Sequence, residues 1–526
     1  MDALSTTATK IGFEMRLKVM EFDYKKELLP GLPIPEEGTV SDTVYYTGGT
    51  LSDVRQIINP DYFPLFENGL ELSEEAFLAL STKLDRSNLN FTYRYRKGGH
   101  LGYRLKYNRR IIEVSYIDGK IHSYFADEYR PEIRPEAPLR AVVDISRDGV
   151  EKYIGSLVEN GYVKIFENTI ENNLYVELTA DGGKTLLRCN YFGNTRIAHF
   201  ILNEYSTPVS EFGYSVDQQQ VKPMMVQYAL YQSRRADGFK MDCGMCYLLR
   251  LCDNSLFMID GGMLEQATDA AAKGLIDLMH RLTNTQSGEK MRLAGWFCTH
   301  AHEDHVDMFT KLLRLYHDEI DLERVMFNFQ SENIFQHHPE IYMMINRVRK
   351  YYPNAKFRKL HAGDEFVLAD TVFTVLQTHE DSIGAGGNEL IGSFNDMSTV
   401  LSVVFDGKKS LILGDIDGSA ENLILSHYSE KTLKADTVQV AHHLFNYLDR
   451  LYDVIDADYA MVPQRSETKV NHDSQKYKVV ARTVKDTNFR FANDGTDGFE
   501  VDTDQNEIVW TLHQEPIGGV YDGSEL

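Results

Sequence analysis

Along the first 225 residues, apolar and polar positions alternate mostly with the period of two that marks half-buried strands. Phe91 to Lys97 reads FTYRYRK. Ile111 to Phe125 reads IIEVSYIDGKIHSYF, two alternating runs joined at Asp118-Gly119, a pair suited to a tight hairpin. Further on, Tyr162 to Ile170, Asn173 to Phe192 and Thr195 to Leu202 read as a β-meander. Two stretches change to a helical period. One follows Ser73, a candidate N-cap, and aligns Phe77, Leu80 and Leu84. The other follows Asp148, aligns Val150, Tyr153, Ile154, Leu157 and Val158, and stops at Asn160-Gly161. These patterns predict an N-terminal α+β domain over 1–225, rich in antiparallel strands. Pro131, Pro135 and Pro138 mark a linker that would divide it near 131–140. No chemistry is assigned to this half.

From about Met225 strands and helices take turns. Met245 to Leu251 and Ser255 to Gly262 read as strands, and a helix-length stretch runs from Met263 to Leu282. A strand ending in Trp296-Phe297-Cys298 leads into a polar loop. A helix carrying Met308, Leu312, Leu313 and Leu315 comes next. Val325 to Phe327, a helix from Ile341 to Val348, and the strands between Lys359 and His379 continue the alternation. Ser402 to Asp415 reads as a hairpin turning at Asp406-Gly407. This is the signature of a layered α/β domain over 226–526.

Composition narrows the picture. With 55 Lys and Arg against 78 Asp and Glu, the 526-residue chain carries a formal charge of −23, which argues against a surface built to grip nucleic-acid phosphates. No apolar run reaches the roughly 18 residues of a membrane span, and the N-terminus lacks the apolar core of a secretory signal. Five scattered cysteines suit thiols in a reducing compartment, so a cytoplasmic protein is expected.

The densest chemistry lies at Thr299-His300-Ala301-His302-Glu303-Asp304-His305, where three histidines and two carboxylates directly follow an apolar strand. In extended backbone His300 and His302 fall on one side. A helix starting just after would turn Asp304 and His305 back toward a second metal. Two ions about 3.5–4 Å apart suit metal-assisted hydrolysis.

This segment matches the HxHxDH signature of the metallo-β-lactamase superfamily, and further motifs stand in that family's order. Ile259-Asp260-Gly261-Gly262 resembles its first motif, Leu411 to Asp415 the strand delivering a bridging aspartate, and Val440-Ala441-His442-His443 the motif with the last histidine. The stretch Asn395 to Asp417, followed by the histidine pair, looks most like the hydrolase domain of competence-type DNA-uptake proteins. This chain has Leu444-Phe445-Asn446 where that subgroup has a glycine and a small hydroxyl residue.

The resemblance covers roughly the last 300 residues and implies an αββα sandwich there, with two divalent ions, zinc first, manganese or iron admissible. It implies His300, His302 and His379 at one ion, and Asp304, His305 and His443 at the other, with Asp415 bridging. His442 would donate a proton or bind a substrate oxygen. The implied activity is hydrolysis of an ester by a bridging hydroxide, a phosphodiester first. A carboxylic ester or lactone, a thioester or β-lactam amide, and a binding or regulatory module with a vestigial metal site are the alternatives. The implied partner is a small-molecule or polymeric ester, with homo-oligomers admissible. Cys243 and Cys246 have CxxC spacing but no second pair, and are read with Cys298 as core residues.

Overall fold

The computed structural model describes residues 26–29, 31–45, 69–84, 90–97, 100–107, 110–125, 138–183, 185–203, 206–230, 243–263, 266–329, 339–382 and 394–517. Strand β1 (Thr39–Tyr45) is followed by helix α1 (Glu74–Leu84), whose Ala76 amide is capped by Ser73 Oγ at 3.1 Å. A four-stranded antiparallel meander comes next: β2 (Asn90–Lys97), β3 (His100–Tyr107), β4 (Arg110–Ile117) and β5 (Lys120–Phe125). Asp118 and Gly119 turn its last hairpin with φ of 47° and 80°, the left-handed pair the sequence predicts. Of the linker expected near 131–140, residues 131–137 lie outside the described residues.

Strand β6 (Pro138–Asp144) leads into α2 (Arg147–Glu159), capped by Ser146 and burying Val150, Tyr153, Ile154 and Leu157. Strands β7 (Val163–Ile170), β8 (Asn173–Ala180), β9 (Thr185–Phe192) and β10 (Ile197–Asn203) complete a six-stranded sheet in the order β1-β6-β10-β9-β8-β7. One face of this sheet packs on α2 through Leu174, Val176, Leu178, Leu187 and Phe200. Its other face is also buried, which explains why β8 and β9 depart from simple alternation.

The remaining strands build two larger sheets. The nine-stranded sheet uses β11 (Met224–Gln227), β12 (Cys246–Arg250), β13 (Leu256–Asp260), β14 (Met291–Phe297), β15 (Arg324–Phe327) and β16 (Lys356–Lys359). Near the chain's end come β24 (Thr496–Asp502) and β25 (Glu507–Gln514), in the order β16-β15-β14-β13-β12-β11-β24-β25, and Ile320–Leu322 flanks β14. The eight-stranded sheet runs from a short edge at Tyr214–Ser215 through β17 (Glu365–Ala369), β18 (Thr371–Gln377), β19 (Val400–Phe405), β20 (Lys408–Ile412), β21 (Thr437–Gln439), β22 (Tyr459–Val462) and β23 (Phe489–Phe491). Residue 225, where the sequence texture changes, lies inside β11.

Three apolar cores define the layers. Tyr247, Leu249, Phe257, Ile259, Phe297, Phe373, Val403 and Ile412 meet between the two sheets. The outer face of the nine-stranded sheet is covered by α3 (Asp269–Thr283), α4 (Asp307–Tyr316) and α5 (Pro339–Tyr351) through Leu275, Leu312 and Ile345. The eight-stranded sheet is covered by α6 (Gly418–His427), α7 (Leu451–Ile455) and α8 (Gln475–Val480). The order is therefore helix, sheet, sheet, helix. Helix α3 begins six residues later than the apolar pattern suggests, because Thr268 caps it by accepting from the Ala271 amide.

Both sheets place the strand ends that matter. Strands β13, β14 and β15 run parallel, as do β20, β21, β22 and β23, so the loops after β13, β14, β20, β21 and β22 gather at carboxyl ends. The Thr399 amide donates to the Thr299 carbonyl at 2.8 Å, tying the two sheets together at that edge.

Candidate metal centre

The loop after β14 carries the dense histidine segment, and Asp260 at the end of β13 organises it. Its Oδ1 accepts from the Thr299 amide at 2.7 Å, and its Oδ2 from Thr299 Oγ1 at 2.9 Å. His305 Nδ1 lies 2.5 Å from the same Oδ2. In that contact Nδ1–H donates to Asp260, so the proton His305 gives up on binding a metal is the one on Nε2, whose lone pair then faces the site. Asp260 takes a left-handed φ of 56°, and a Cβ on the next residue, Gly261, would lie 2.6 Å from Phe309 Cβ. Glycine is therefore what lets this turn sit against α4. Trp296, fully buried, stacks on Phe309 at 4.1 Å and donates to the Asp260 carbonyl at 3.1 Å.

Asp415 arrives on the loop after β20. The preceding Gly414 has φ of 59°, and a Cβ there would meet Ser398 at 2.8 Å. Gln439, buried at the end of β21, accepts from the amides of Leu413 and Gly414 and donates to the carbonyls of Gly414 and Val440. One side chain thus fixes the Asp415 loop to the loop that carries His443. In that second loop His442, His443 and Leu444 are all left-handed, with φ of 48°, 52° and 65°. Each such non-glycine residue costs about 1–2 kcal/mol. The surroundings hold them: the His442 amide donates to the Gly414 carbonyl, and Leu444 is buried in the outer core.

These loops bring two groups of donors together. His300, His302 and Asp415 form one; Asp304, His305, Asp415 and His443 form the other, and Asp415 belongs to both. Asp415 Oδ2 lies 3.3 Å from His305 Nε2, 3.5 Å from His443 Nε2 and 3.9 Å from His300 Nε2. Asp304 Oδ2 lies 3.2 Å from His443 Nε2. Both Asp415 oxygens, His305 Nε2 and both His443 ring nitrogens are buried without a hydrogen-bond partner. Orphaned donors and acceptors of this kind are costly unless something binds them, and the set is the nitrogen and oxygen chemistry of divalent transition metals. The residues fit a two-ion centre.

The electrostatics agree. Burial would raise the Asp415 carboxyl, but His305 and His443 hold it well below the usual carboxylate range. Asp304 is likewise held low, against burial, by the same two histidines. In return, and again against burial, Asp415, Asp260 and Asp304 raise His305, while Asp415 and Asp304 push His443 up to about 9. Protonated imidazoles supply here the positive charge that cations would supply. His300 and His302 are pushed down, by burial first.

Among the residues the sequence singles out, His379 is the exception and its ligand role is corrected. It stands in the short turn His379–Ser382 after β18, outside both donor groups. Asp381 Oδ2 accepts the Thr378 amide and folds this turn under the six-stranded sheet. There burial, with Arg140 nearby, pushes His379 down to about 3. His442 also lies outside the groups, its Nε2 3.9 Å from Asp415 Oδ2. It is held by Asn446, whose Nδ2 donates to the carbonyls of Asp415 and Ile416. That leaves Asn446 Oδ1, 2.7 Å from His442 Nδ1, to accept from it, which favours the tautomer with hydrogen on Nδ1 and Nε2 as the acceptor. Asn395 Nδ2 lies 3.3 Å from that Nε2. Asn395 and Asn446 carry no ligand signature, and sequence spacing alone assigns neither this task. Cys298 is buried with its thiol on the His300 carbonyl, and Cys246 is buried in β12, both core residues as expected.

No family model matches the chain, and no curated protein does. Solved structures give partial likenesses. CmlA, a diiron β-hydroxylase from Streptomyces venezuelae, is 12% identical over 52% of each chain with a TM-score of 0.29. Tm1679, a metal-dependent hydrolase of the β-lactamase superfamily, is 13% identical over 51% of this chain and 96% of its own, with a TM-score of 0.30. A flavo di-iron protein from Thermotoga maritima is 14% identical over 36% of this chain and 38% of its own, with a TM-score of 0.20. The chain spans about half the length of the CmlA structures it matches, 45% and 52%.

Proposed function

We propose that this chain is a metal-dependent hydrolase that cleaves an ester, a phosphoric ester before a carboxylic one, at a two-ion centre. The observation that carries the reading is the single buried carboxylate of Asp415, shared by two donor groups and satisfied by neither. His300, His302 and Asp415 would hold one ion, and Asp304, His305, Asp415 and His443 the other. Two divalent ions, zinc by preference, would polarise the scissile group and a water molecule when bound.

The chain's own residues supply the rest. Asp260 keeps His305 in the ligating tautomer, and Gln439 keeps Asp415 and His443 in register. His442, half-buried at the rim, presents Nε2 toward Asp415 and can take a proton from the attacking water and return it to the leaving oxygen. The hydrogen bonding is arranged for this, since Asn446 Oδ1 accepts from Nδ1 and leaves Nε2 to do the transfer. The substrate is an ester small enough, or extended enough, to reach this rim.

The deciding experiment measures metal per chain together with turnover of chromogenic phosphodiester, phosphomonoester, lactone and carboxylic ester substrates. About two ions per chain are expected, with diester turnover abolished in Asp415→Ala and in His302→Ala. Retained turnover in folded Asp415→Ala overturns the reading. Turnover of lactone alone moves the substrate class to the carboxylic esters.

A further inference from the structure

The group formed by His300, His302 and Asp415 stops one short of the four ligands a tetrahedral ion takes, because His379 is turned away under the six-stranded sheet. His442 stands where the missing donor belongs. Its Nε2 lies 3.9 Å from Asp415 Oδ2, the same separation from the same oxygen as His300 Nε2. Two donors on a tetrahedral ion at about 2.0–2.1 Å are roughly 3.4 Å apart, so each imidazole has to close by only about 0.5 Å.

The backbone is bent to bring His442 there. In a strand, neighbouring side chains point to opposite faces, and in a right-handed helix they diverge by about 100°. His442 and His443 instead take consecutive left-handed conformations, with φ of 48° and 52° and ψ of 47° and 30°. Two adjacent imidazoles thereby converge on one carboxylate oxygen, His443 Nε2 at 3.5 Å and His442 Nε2 at 3.9 Å from Asp415 Oδ2. Each left-handed histidine costs about 1–2 kcal/mol, and what that strain secures is the convergence of both rings.

The ring is also held as a ligand is held. Asn446 Nδ2 donates to the carbonyls of Asp415 and Ile416 at 3.3 and 3.0 Å, and its Oδ1 accepts from His442 Nδ1 at 2.7 Å. Asp260 does the same for His305, with an acceptor on Nδ1 that fixes the ring and leaves Nε2 to face the centre. The departure Leu444-Phe445-Asn446 thus supplies the residue that ties His442 to the Asp415 loop. Asn395 Nδ2 lies 3.4 and 3.3 Å from Nδ1 and Nε2 of the same ring, between the two nitrogens and off the axis of the Nε2 lone pair. The His442 side chain is 26% exposed at the rim, whereas those of His300, His305, His443 and Asp415 are buried.

We infer that His442 is a displaceable fourth ligand of the ion held by His300, His302 and Asp415: its Nε2 completes that ion's shell in the absence of substrate and leaves it when substrate arrives. The inference deepens the two-ion reading above and rests on it. The exchange breaks one metal–nitrogen bond and makes one bond from the same ion to a substrate oxygen, and neither an electron nor a proton moves. Once released, the ring stays beside Asp415 on its bond to Asn446, with Nε2 available for the proton transfer. The ion of the other group keeps its four protein ligands throughout.

The test titrates cobalt(II) into the metal-free full chain in competition with a chromogenic chelator, for the parent, His442→Ala and Asn446→Ala, with circular dichroism to establish folding and proton spectra of the loaded proteins. His442→Ala is expected to hold one ion within two-fold of the parent and the other at least about 10-fold more weakly, since loss of a partner that merely orients a ligand already costs that much. Added imidazole is expected to restore the weakened ion. Asn446→Ala, which leaves the imidazole in place, is expected to weaken the same ion several-fold. Ring N–H protons of cobalt-bound histidines resonate far outside the ordinary range. One such signal of the parent is expected to vanish in His442→Ala, and in the parent when inorganic phosphate is bound to saturation. Both ions held within two-fold of the parent in folded His442→Ala, with every shifted signal kept, overturns the ligand. A His442 signal that survives saturating phosphate overturns its displacement. Cobalt-bound His442 in a protein that turns over no ester leaves the ligand standing and removes the hydrolase reading. Ester turnover by a parent whose shifted signals do not include His442 does the reverse.

Discussion

Replacing Asp260 with Asn is the sharpest probe of how the centre is held. The carboxylate accepts three hydrogen bonds in a fully buried site: Thr299 N at 2.7 Å, Thr299 Oγ1 at 2.9 Å and His305 Nδ1 at 2.5 Å. An amide of the same shape has one accepting oxygen, so at least one of these donors must face an NH2 group. A hydrogen bond to a charged acceptor contributes about 1.5–3 kcal/mol. At about 1.4 kcal/mol per decade, that is roughly a 10- to 100-fold loss, the range seen when a partner orienting a metal-bound histidine is removed. Because Asp260 touches His305 and the Thr299 backbone, the loss falls first on the group formed by Asp304, His305, Asp415 and His443. Competition with a chromogenic chelator, monitored alongside near-ultraviolet circular dichroism, measures it. The expected result is two ions still bound, one of them about 10- to 100-fold more weakly. If folded Asp260→Asn binds both ions within two-fold of the parent, Asp260 does not orient His305 and the reasoning fails.

Loading the protein with zinc at pH 7 should release protons, because His443, raised to about 9, and His305, raised well above its ordinary value, must give them up to bind metal. Calorimetry in buffers of different ionisation enthalpy counts them, and no release would contradict the protonation described. Asp381 is buried under the six-stranded sheet and its carboxyl is pushed up to about 8, by burial first and by Glu380. The native state then binds more protons than the unfolded chain between roughly pH 4 and 8, so this group's contribution to stability falls as pH rises through that window. Below about 6.5 it is opposed by His199, His379 and His427, pushed down to about 4, 3 and 3 by burial, which bind fewer protons when native. Between about 6.5 and 8 the metal-loaded protein should lose on the order of 2 kcal/mol on Asp381's account, and Asp381→Asn should flatten that slope in urea unfolding. Gly363→Ala should destabilise by about 2–4 kcal/mol, because a Cβ there lies 1.9 Å from Tyr175 Cγ at a φ of 79°. A thermal shift of only a degree or two would show that the six-stranded sheet is not closely seated there.

That seating is itself a property of folding at a distance. Arg358 on β16 bonds Asp364 and, across 181 residues, Glu177 on β8, while Arg188 on β9 lies 3.1 Å from Asp364, all of them fully buried. Tyr175 and Tyr428 share a hydrogen bond of 2.6 Å. Pairs so far apart leave no periodic trace, and each partner read alone is an ordinary charged or aromatic residue.

Local pattern carried much else. The hairpins at Asp118-Gly119 and Asp406-Gly407, the caps at Ser73 and the helix ending at Asn160 follow from residues within a turn of one another. The histidine segment after β14 was legible for the same reason, since His300, His302, Asp304 and His305 fall within six consecutive positions and supply donors to both groups from one loop. His379 was not, because a histidine at a strand end is compatible with a ligand or with a buried pocket, and the sheet from the first half of the chain, through Arg140 on β6, is what claimed it. Asn395 and Asn446 escaped notice for the converse reason: they are common residue types without motif spacing. They acquire their place when parallel strands end side by side, because strand register is set by packing of whole sheets rather than by neighbours in the chain.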